Sequence, residues 1–282
     1  MNDAIVNLGV GQVIRCMVRC ALAALALAGG GTAQAAASVM IWPIDPVIES
    51  DQRAAALWLE NRDTRPVTLQ VRVLGWREES GGDVYTEDQN RVVGSPPMAT
   101  VPPGKRQLIR LTRLAESAPG TEDAYRVLID EIPQPDDNAS QPGQTHLGVK
   151  FQMHYSIPLF VYGKGIWTKE DPDHKRDPLT IAQPFLSWHL ACDGGKRCWL
   201  VMTNHGRVHA RITQVLFDTA GERTDLARGL LGYVLPGAQI RWALPEDMKL
   251  ASWPAAAPPK LIATVNGKTG VAIEPDGIDA PK

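Results

Sequence analysis

The chain has 282 residues, which is enough for two domains of roughly 100 residues or more. Its 29 lysines and arginines nearly balance 31 acidic residues, so it lacks the basic excess of a protein that binds nucleic acid. After the N-terminal segment, no run approaches the ~18 apolar residues of a membrane span. We therefore expect a soluble mature protein that is not stably inserted in a membrane.

The first 35 residues have the pattern of a secretory signal peptide. Arg15 and Arg19 precede the apolar run CALAALALAGGG, which is followed by small residues. The tripeptide Ala33-Gln34-Ala35 is typical of a cleavage site. We expect residues 1–35 to be removed on export.

The next segment, residues 38–162, is rich in predicted strands. Its runs are β-branched or alternate apolar with polar residues: SVMIWPI, AAALWLEN, VTLQVRVLGW, RQLIRLTRL, AYRVLIDEI and HLGVKFQMHYSIPLFV. Turn residues, among them Gly81-Gly82 and Pro119-Gly120, separate these runs. Six or seven strands in about 125 residues predict a β-sandwich of immunoglobulin type.

A linker and a second β domain follow in residues 163–282. The segment GKGIWTKEDPDHKRDP, Gly163 to Pro178, is charged, contains several prolines and is poorly suited to burial. We place the domain boundary within this segment. Strands then resume, as PFLSWHLAC, CWLVMTN, ARITQVLFD, LLGYVLPGAQIRWAL and KLIATVNGKTGVAIE. The predicted fold class is all-β.

Two cysteines remain after the signal peptide, Cys192 and Cys198. Two apolar runs flank Gly194-Gly195, and a three-residue loop centred there sets the cysteines opposite each other on paired strands. In an oxidising compartment such a pair usually forms a disulfide. Catalytic redox chemistry is the alternative, but the spacing is not the reactive Cys-x-x-Cys.

The sequence contains no recognisable enzyme motif. The mature chain has no Gly-x-Ser-x-Gly elbow, no nucleotide-binding glycine loop and no HExxH zinc motif. His205 and His209 are four residues apart, which in a strand means ~13 Å, too far to share a metal ion easily. We expect no catalytic residues, no metal and no cofactor.

Several segments, taken in order, resemble one family. VPPGKRQLIRL, AYRVLIDEIP, the IPLF ending of the next strand and GYVLPGAQIRW are similar to periplasmic pilus-assembly chaperones of the chaperone–usher pathway. IWPIDPVIESDQRAAALWLEN and YSIPLF resemble its archaic branch, which serves spore-coat-U-type fimbrial subunits. The resemblance implies two immunoglobulin-like domains around a cleft, a periplasmic location, and pilus subunits and an outer-membrane usher as partners.

The resemblance also implies that the last strand of domain one is lent to a pilus subunit that lacks a strand. Five alternate residues then share the face that fills the subunit's groove: Leu147, Val149, Phe151, Met153 and Tyr155. Lys150, Gln152 and His154 lie on the other face. The alternative is an ordinary buried strand whose odd-numbered residues face the domain's own core.

In this family, two basic side chains anchor the subunit's C-terminal carboxylate. The positions that hold them in its best-known members fall here on Asp45 and Pro158, which cannot bind an anion. Arg126 is our candidate anchor because a guanidinium can bind a carboxylate through two hydrogen bonds. Lys164 is the candidate second charge, and Lys150 is a weaker one. Alternatively, Arg126 is a solvated surface charge.

A different class of function is also compatible with two exported β domains. Such a protein can be an adhesin or a structural module that binds its partner through loops, with no strand to lend. Formation of a soluble one-to-one complex with a pilin-like subunit distinguishes the chaperone from this alternative.

Overall fold

The computed structural model describes residues 39–133, 152–170, 176–193, 197–219, 221–246, 248 and 259–276. Within these ranges the regular structure is seventeen strands and one short 3-10 helix, Pro178–Thr180. The predicted all-β class is confirmed.

Ten strands form the first domain: β1 (Val39–Trp42), β2 (Val47–Ile48), β3 (Ala54–Asn61), β4 (Val67–Glu79), β5 (Gly82–Thr86), β6 (Val92–Ser95), β7 (Met98–Val101), β8 (Arg106–Arg113), β9 (Glu122–Ile132) and β10 (His154–Tyr162). One sheet has the order β1-β3-β8-β6. The other has the order β2-β10-β9-β4-β5, with β7 also paired to β4. The two sheets enclose a core to which nearly every strand contributes.

Alternation along the central strands decides which residues enter this core. β4, β9 and β10 each contribute every second side chain: Val67, Leu69 and Val71, then Tyr125, Val127 and Ile129, then Ile157, Leu159 and Val161. Successive side chains of a strand point to opposite faces of its sheet, so the residues between them face outward. The outward face of this sheet is the one that meets domain two.

The second domain contains β11 (Leu186–Asp193), β12 (Arg197–Asn204), β13 (Ala210–Thr219), β14 (Glu222–Val234), β15 (Gln239–Ala243), β16 (Lys260–Val265) and β17 (Lys268–Pro275). They follow the order β14-β13-β16-β17-β11-β12-β15 around a second core, and only β11 and β17 pair in parallel. Cys192 and Cys198 are directly opposed on β11 and β12 and form a disulfide, as predicted. The chain is thus two immunoglobulin-like β-sandwich domains.

A third apolar cluster joins the two domains. It combines side chains from domain one, the linker and domain two: Trp76, Phe160, Tyr162, Ile166, Ala182, Val208, Tyr233 and Leu235. We predicted that the linker is poorly suited to burial, but Ile166 is only 1% exposed. Burial of this one apolar residue fixes the start of the linker even though its neighbours Lys164 and Gly165 are exposed.

Candidate functional site

The strand β10 has an open edge over most of its length. On one side it pairs with β9 from His154 to Tyr162, whereas on the other it pairs with β2 only at Phe160 and Val161. Among the residues that the structure describes, no strand covers that second side from His154 to Leu159. Such an edge can pair with a strand from another chain.

The direction of the backbone groups identifies the residues available to an added strand. The N–H of Phe160 donates to the carbonyl of Pro46, on the β2 side, at 3.2 Å. Because this direction alternates along an antiparallel pair, His154 and Ser156 direct their N–H and C=O groups to the open edge. Pro158 directs only a carbonyl there, since it has no N–H.

The odd-numbered side chains of β10 become progressively less buried towards the start of the strand. Leu159 is fully buried, Ile157 is 6% exposed, and Tyr155 packs at the margin of the core. Met153, the next residue in this series, is half-buried. Leu147, Val149 and Phe151 lie outside the described residues. Of the predicted donor residues, the two that the structure describes, Met153 and Tyr155, therefore continue the series of odd-numbered residues that fills the domain's own core.

A chain of ion pairs crosses the outward face near the start of β10. Arg72 on β4 contacts Glu87 at 3.1 Å and Asp130 on β9 at 3.2 Å. Asp130 also pairs with the Nδ1 atom of His154. His154 is exposed on the outward face, as the alternation predicted. Exposed pairs of this kind contribute little stability individually, so their main effect is to orient these side chains.

Arg126 lies near the domain junction, beside two aromatic rings. Its guanidinium carbon is 3.8 Å from the ring centroid of Trp76 and 5.2 Å from that of Tyr233, which belongs to domain two. Its Nε atom is buried without a hydrogen-bond partner. Among the described residues, no carboxylate lies within 4 Å of its guanidinium. Stacking on aromatic faces therefore holds this charge without neutralising it.

Two acidic residues lie beside this arginine. Asp83 accepts hydrogen bonds from the Trp76 indole at 2.8 Å and from the Tyr85 hydroxyl at 3.0 Å. Glu78 Oε2 accepts a hydrogen bond from the backbone N–H of Leu235, in domain two, at 2.7 Å, whereas its Oε1 is buried without a partner. Burial raises the pKa of the Glu78 carboxyl to about 8, against the opposing effect of the Leu235 N–H.

A second carboxylate of domain one is bound by domain two. Glu122, at the start of β9, accepts hydrogen bonds from the backbone N–H of His209 at 3.0 Å and from its ring at 2.8 Å. The same imidazole ring stacks on Phe160 with a centroid separation of 3.4 Å. Burial raises the pKa of Glu122 despite these hydrogen bonds. Glu78 and Glu122 thus each accept a backbone hydrogen bond from domain two, at separate points. These two interdomain hydrogen bonds are called the clasps below.

The structure separates Arg126 and Lys164. Lys164 is exposed in the turn after β10, six residues beyond Pro158, which pairs with Arg126. Lys164 lies beyond the end of β10, in a turn where its carbonyl accepts the N–H of Gly120 at 2.9 Å. No described hydrogen bond or ion pair joins the two side chains, and Lys150 lies outside the described residues.

Sequence reasoning missed Trp76, Glu78 and Tyr233 as parts of this site. Trp76 and Glu78 share the outward face of β4 with Leu74, and Leu74 pairs with Arg126. Alternation and pairing can therefore identify them. Tyr233 belongs to the other domain, and no local pattern indicates that it lies over Arg126.

Two features are absent from the residues that the structure describes. No helix there is both long and apolar enough to cross a membrane. The same part of the chain contains no group of three or more histidine, cysteine or acidic side chains placed to hold a metal ion.

Two comparisons with known proteins, one with family models and one with solved structures, point to pilus chaperones. Residues 46–167 match the pili and flagellar-assembly chaperones, PapD N-terminal domain. No curated protein sequence matches the chain at a significant level. A solved structure from Acinetobacter baumannii, the CsuC–CsuE chaperone–tip adhesion subunit pre-assembly complex of archaic chaperone–usher Csu pili, is similar at 29% identity with a TM-score of 0.64. The alignment covers 84% of this chain and 98% of that one.

Two more distant structures support the fold alone. The YadV chaperone is 19% identical with a TM-score of 0.53, and the alignment covers 84% of this chain and 96% of that one. The Salmonella enterica complex of the SafA pilin with the SafB chaperone gives 16% identity and a TM-score of 0.51, covering 85% of this chain and 95% of that one. The resemblance seen in the sequence is confirmed: residues 46–167 match the PapD N-terminal domain of the pilus-assembly chaperones, and 84% of the chain aligns with the archaic chaperone–usher structure.

Proposed function

We propose that this protein is a periplasmic chaperone of the archaic branch that folds and caps pilus subunits by donor-strand complementation and delivers them to an outer-membrane usher. The open edge of β10 is the observation that carries this proposal. The backbone groups of His154 and Ser156 can pair with a subunit strand. The odd-numbered side chains share one face of β10 and are less buried towards the start of the strand. An exposed edge that is otherwise an aggregation hazard becomes the binding surface.

The cellular context of this function follows from the first residues and from the family. Residues 1–35 serve as the signal peptide for export through the inner membrane. The activity is binding rather than catalysis, since pilus chaperones are not an enzyme family. The disulfide between Cys192 and Cys198 has a structural role in domain two.

Arg126 is the group that we assign to the subunit's C-terminal carboxylate. In register it lies directly opposite Pro158, the position at which related chaperones carry a basic residue. The positive charge that related chaperones carry on this last strand thus lies here on the neighbouring strand, β9, directly across from the same position. Its guanidinium has no carboxylate within 4 Å among the described residues, so it is available for an anion. Lys164 remains the predicted second charge.

Co-expression with a spore-coat-U-type subunit in the periplasm tests the function. We expect a soluble one-to-one complex, and a subunit that aggregates or is degraded when the chaperone is absent. Phe151→Asp should abolish the complex because it places an unpaired charge in an apolar groove. Gln152→Asp, on the opposite face, is the matched control. A subunit that stays insoluble with wild-type chaperone, or a Phe151→Asp variant that binds normally, contradicts the proposal.

The anchor is tested separately in the same complex. Arg126→Ala should weaken binding by about 2–5 kcal/mol, which is typical for truncating one partner of a buried charge pair. Arg77→Ala removes an exposed arginine from β4 and serves as the control. Lys164→Ala measures the contribution of the second predicted charge. Normal binding by Arg126→Ala means that the carboxylate lies elsewhere.

A further inference from the structure

Glu78 and Arg126 share an unusual feature at the domain junction. Each has a buried polar atom without a hydrogen-bond partner, Oε1 in Glu78 and Nε in Arg126. The two side chains influence each other electrostatically, yet they are not within ion-pair distance of 4 Å. An unpartnered buried group has a considerable desolvation cost, which a bound ligand can offset by supplying the missing hydrogen bond.

The surroundings of Glu78 leave only one of its oxygens available. Oε2 accepts the backbone N–H of Leu235 at 2.7 Å, which anchors the carboxyl to domain two. Asp83, an acid that acts on Glu78 electrostatically, already accepts hydrogen bonds from Trp76 and Tyr85. Oε1 is therefore free to act as a donor when it carries the proton, and a neutral carboxyl group can donate a hydrogen bond to an anion.

We propose that Glu78, in its neutral form, is the second group that binds the carboxylate of the subunit, with Oε1–H donating to the anion that Arg126 binds. This inference rests on the proposed function. The second donor to the carboxylate is then an acid beside Arg126. Lys164, by contrast, lies six residues after Pro158, the residue that pairs with Arg126. A hydrogen bond from an acid to a carboxylate is charge-assisted and strong.

A proton on Glu78 makes binding depend on pH. The charged groups that act on Glu78 are Asp83 on β5 and Arg126 on β9. Asp83 in turn accepts a hydrogen bond from Tyr85, and Arg126 lies over the ring of Tyr233 on β14. The pKa of the Glu78 carboxyl is about 8, so its neutral fraction falls about tenfold between pH 7 and pH 9. When it ionises, its negative charge repels the subunit's carboxylate and partly neutralises Arg126. Subunit affinity should therefore fall as the pH rises through 8.

The experiment compares three chaperones with the subunit used to test the proposed function. Wild type, Glu78→Gln and Glu79→Gln are titrated with the subunit at pH 7 and pH 9, and thermal melting verifies that each is folded. Glutamine keeps a donor at this position and has no proton to lose. Glu79 is an exposed neighbour on the same strand, so its substitution is a matched change in charge.

We expect the affinity of wild type and of Glu79→Gln to fall about tenfold from pH 7 to pH 9. That of Glu78→Gln should stay within about threefold of wild type at pH 7 and change little with pH. An equal fall in wild type and Glu78→Gln, a flat wild-type profile, or loss of binding by folded Glu78→Gln at pH 7 overturns the inference. If wild type forms no complex at either pH, the proposed function itself fails, which is a distinguishable result.

Discussion

Replacing Glu78 with glutamine should change how the stability of the free protein depends on pH. Burial raises the pKa of this carboxyl from 4.5 to about 8, so the folded protein keeps a proton that the unfolded chain releases. The stabilisation that this proton provides is complete below the unfolded-state value of about 4.5 and is lost as the pH rises through 8. Glutamine is neutral at every pH, so the stability of the Glu78→Gln variant does not fall in this way as the pH rises.

The size of the effect follows from the size of the shift. One pKa unit corresponds to about 1.4 kcal/mol, so a rise from 4.5 to about 8 sets an upper bound of roughly 5 kcal/mol. Glu78 is only half-buried, and the solvent screens part of this energy. We expect the free energy of unfolding of Glu78→Gln, relative to wild type, to increase by about 2 kcal/mol between pH 5 and pH 9.

Guanidinium unfolding followed by tryptophan fluorescence at the two pH values measures this difference. Glu122 also has a raised pKa, but it is present in wild type and variant, so its contribution cancels in the comparison. Glu79→Gln should show no relative gain, because Glu79 is exposed and pairs with Arg77. A difference between Glu78→Gln and wild type that is the same at pH 5 and pH 9 would refute the reasoning.

Three further predictions concern other parts of the molecule. Ser156→Pro removes an N–H that faces the open edge, so it should weaken subunit capture in a pull-down while leaving the melting temperature nearly unchanged. Replacing Cys192 and Cys198 with serine should cost about 2–3 kcal/mol on chain-entropy grounds and lower the melting temperature, whereas subunit binding should persist. Gly163→Ala should destabilise the protein strongly, as seen by thermal melting, because its new Cβ would lie 1.9 Å from the carbonyl oxygen of Ala118.

Local patterns were sufficient to predict the central strands of domain one. The run VTLQVRVLGW lies within β4, and AYRVLIDEI lies within β9, because alternating residues and flanking turn residues define a strand directly. The opposed cysteines were predictable for a similar reason. A short loop fixes the pairing of the strands on each side of it, and thus places Cys192 opposite Cys198.

The same reasoning could not decide what the odd-numbered face of β10 does. Ile157 and Leu159 face the domain's own core, and Tyr155 lies at its margin. A period of two is identical for a residue that fills its own core and for one offered to a partner. The distinction depends on where along β10 the core ends. The packing of the two sheets against each other sets that position, and the local sequence of one strand does not.

The junction between the domains was the least predictable part, and the reason lies in the groups that form it. Glu78 and Glu122 each accept a backbone N–H from domain two, those of Leu235 and His209. A backbone donor is the same in nearly every residue, so no sequence motif marks the partner. The carboxylates themselves look like ordinary surface acids in the strands they occupy. Because both clasps lie beside the cluster that holds Arg126, the geometry of the anion site depends on the two domains together. A variant that removes either of these hydrogen bonds should therefore affect carboxylate binding, even though neither Glu78 nor Glu122 lies on β10.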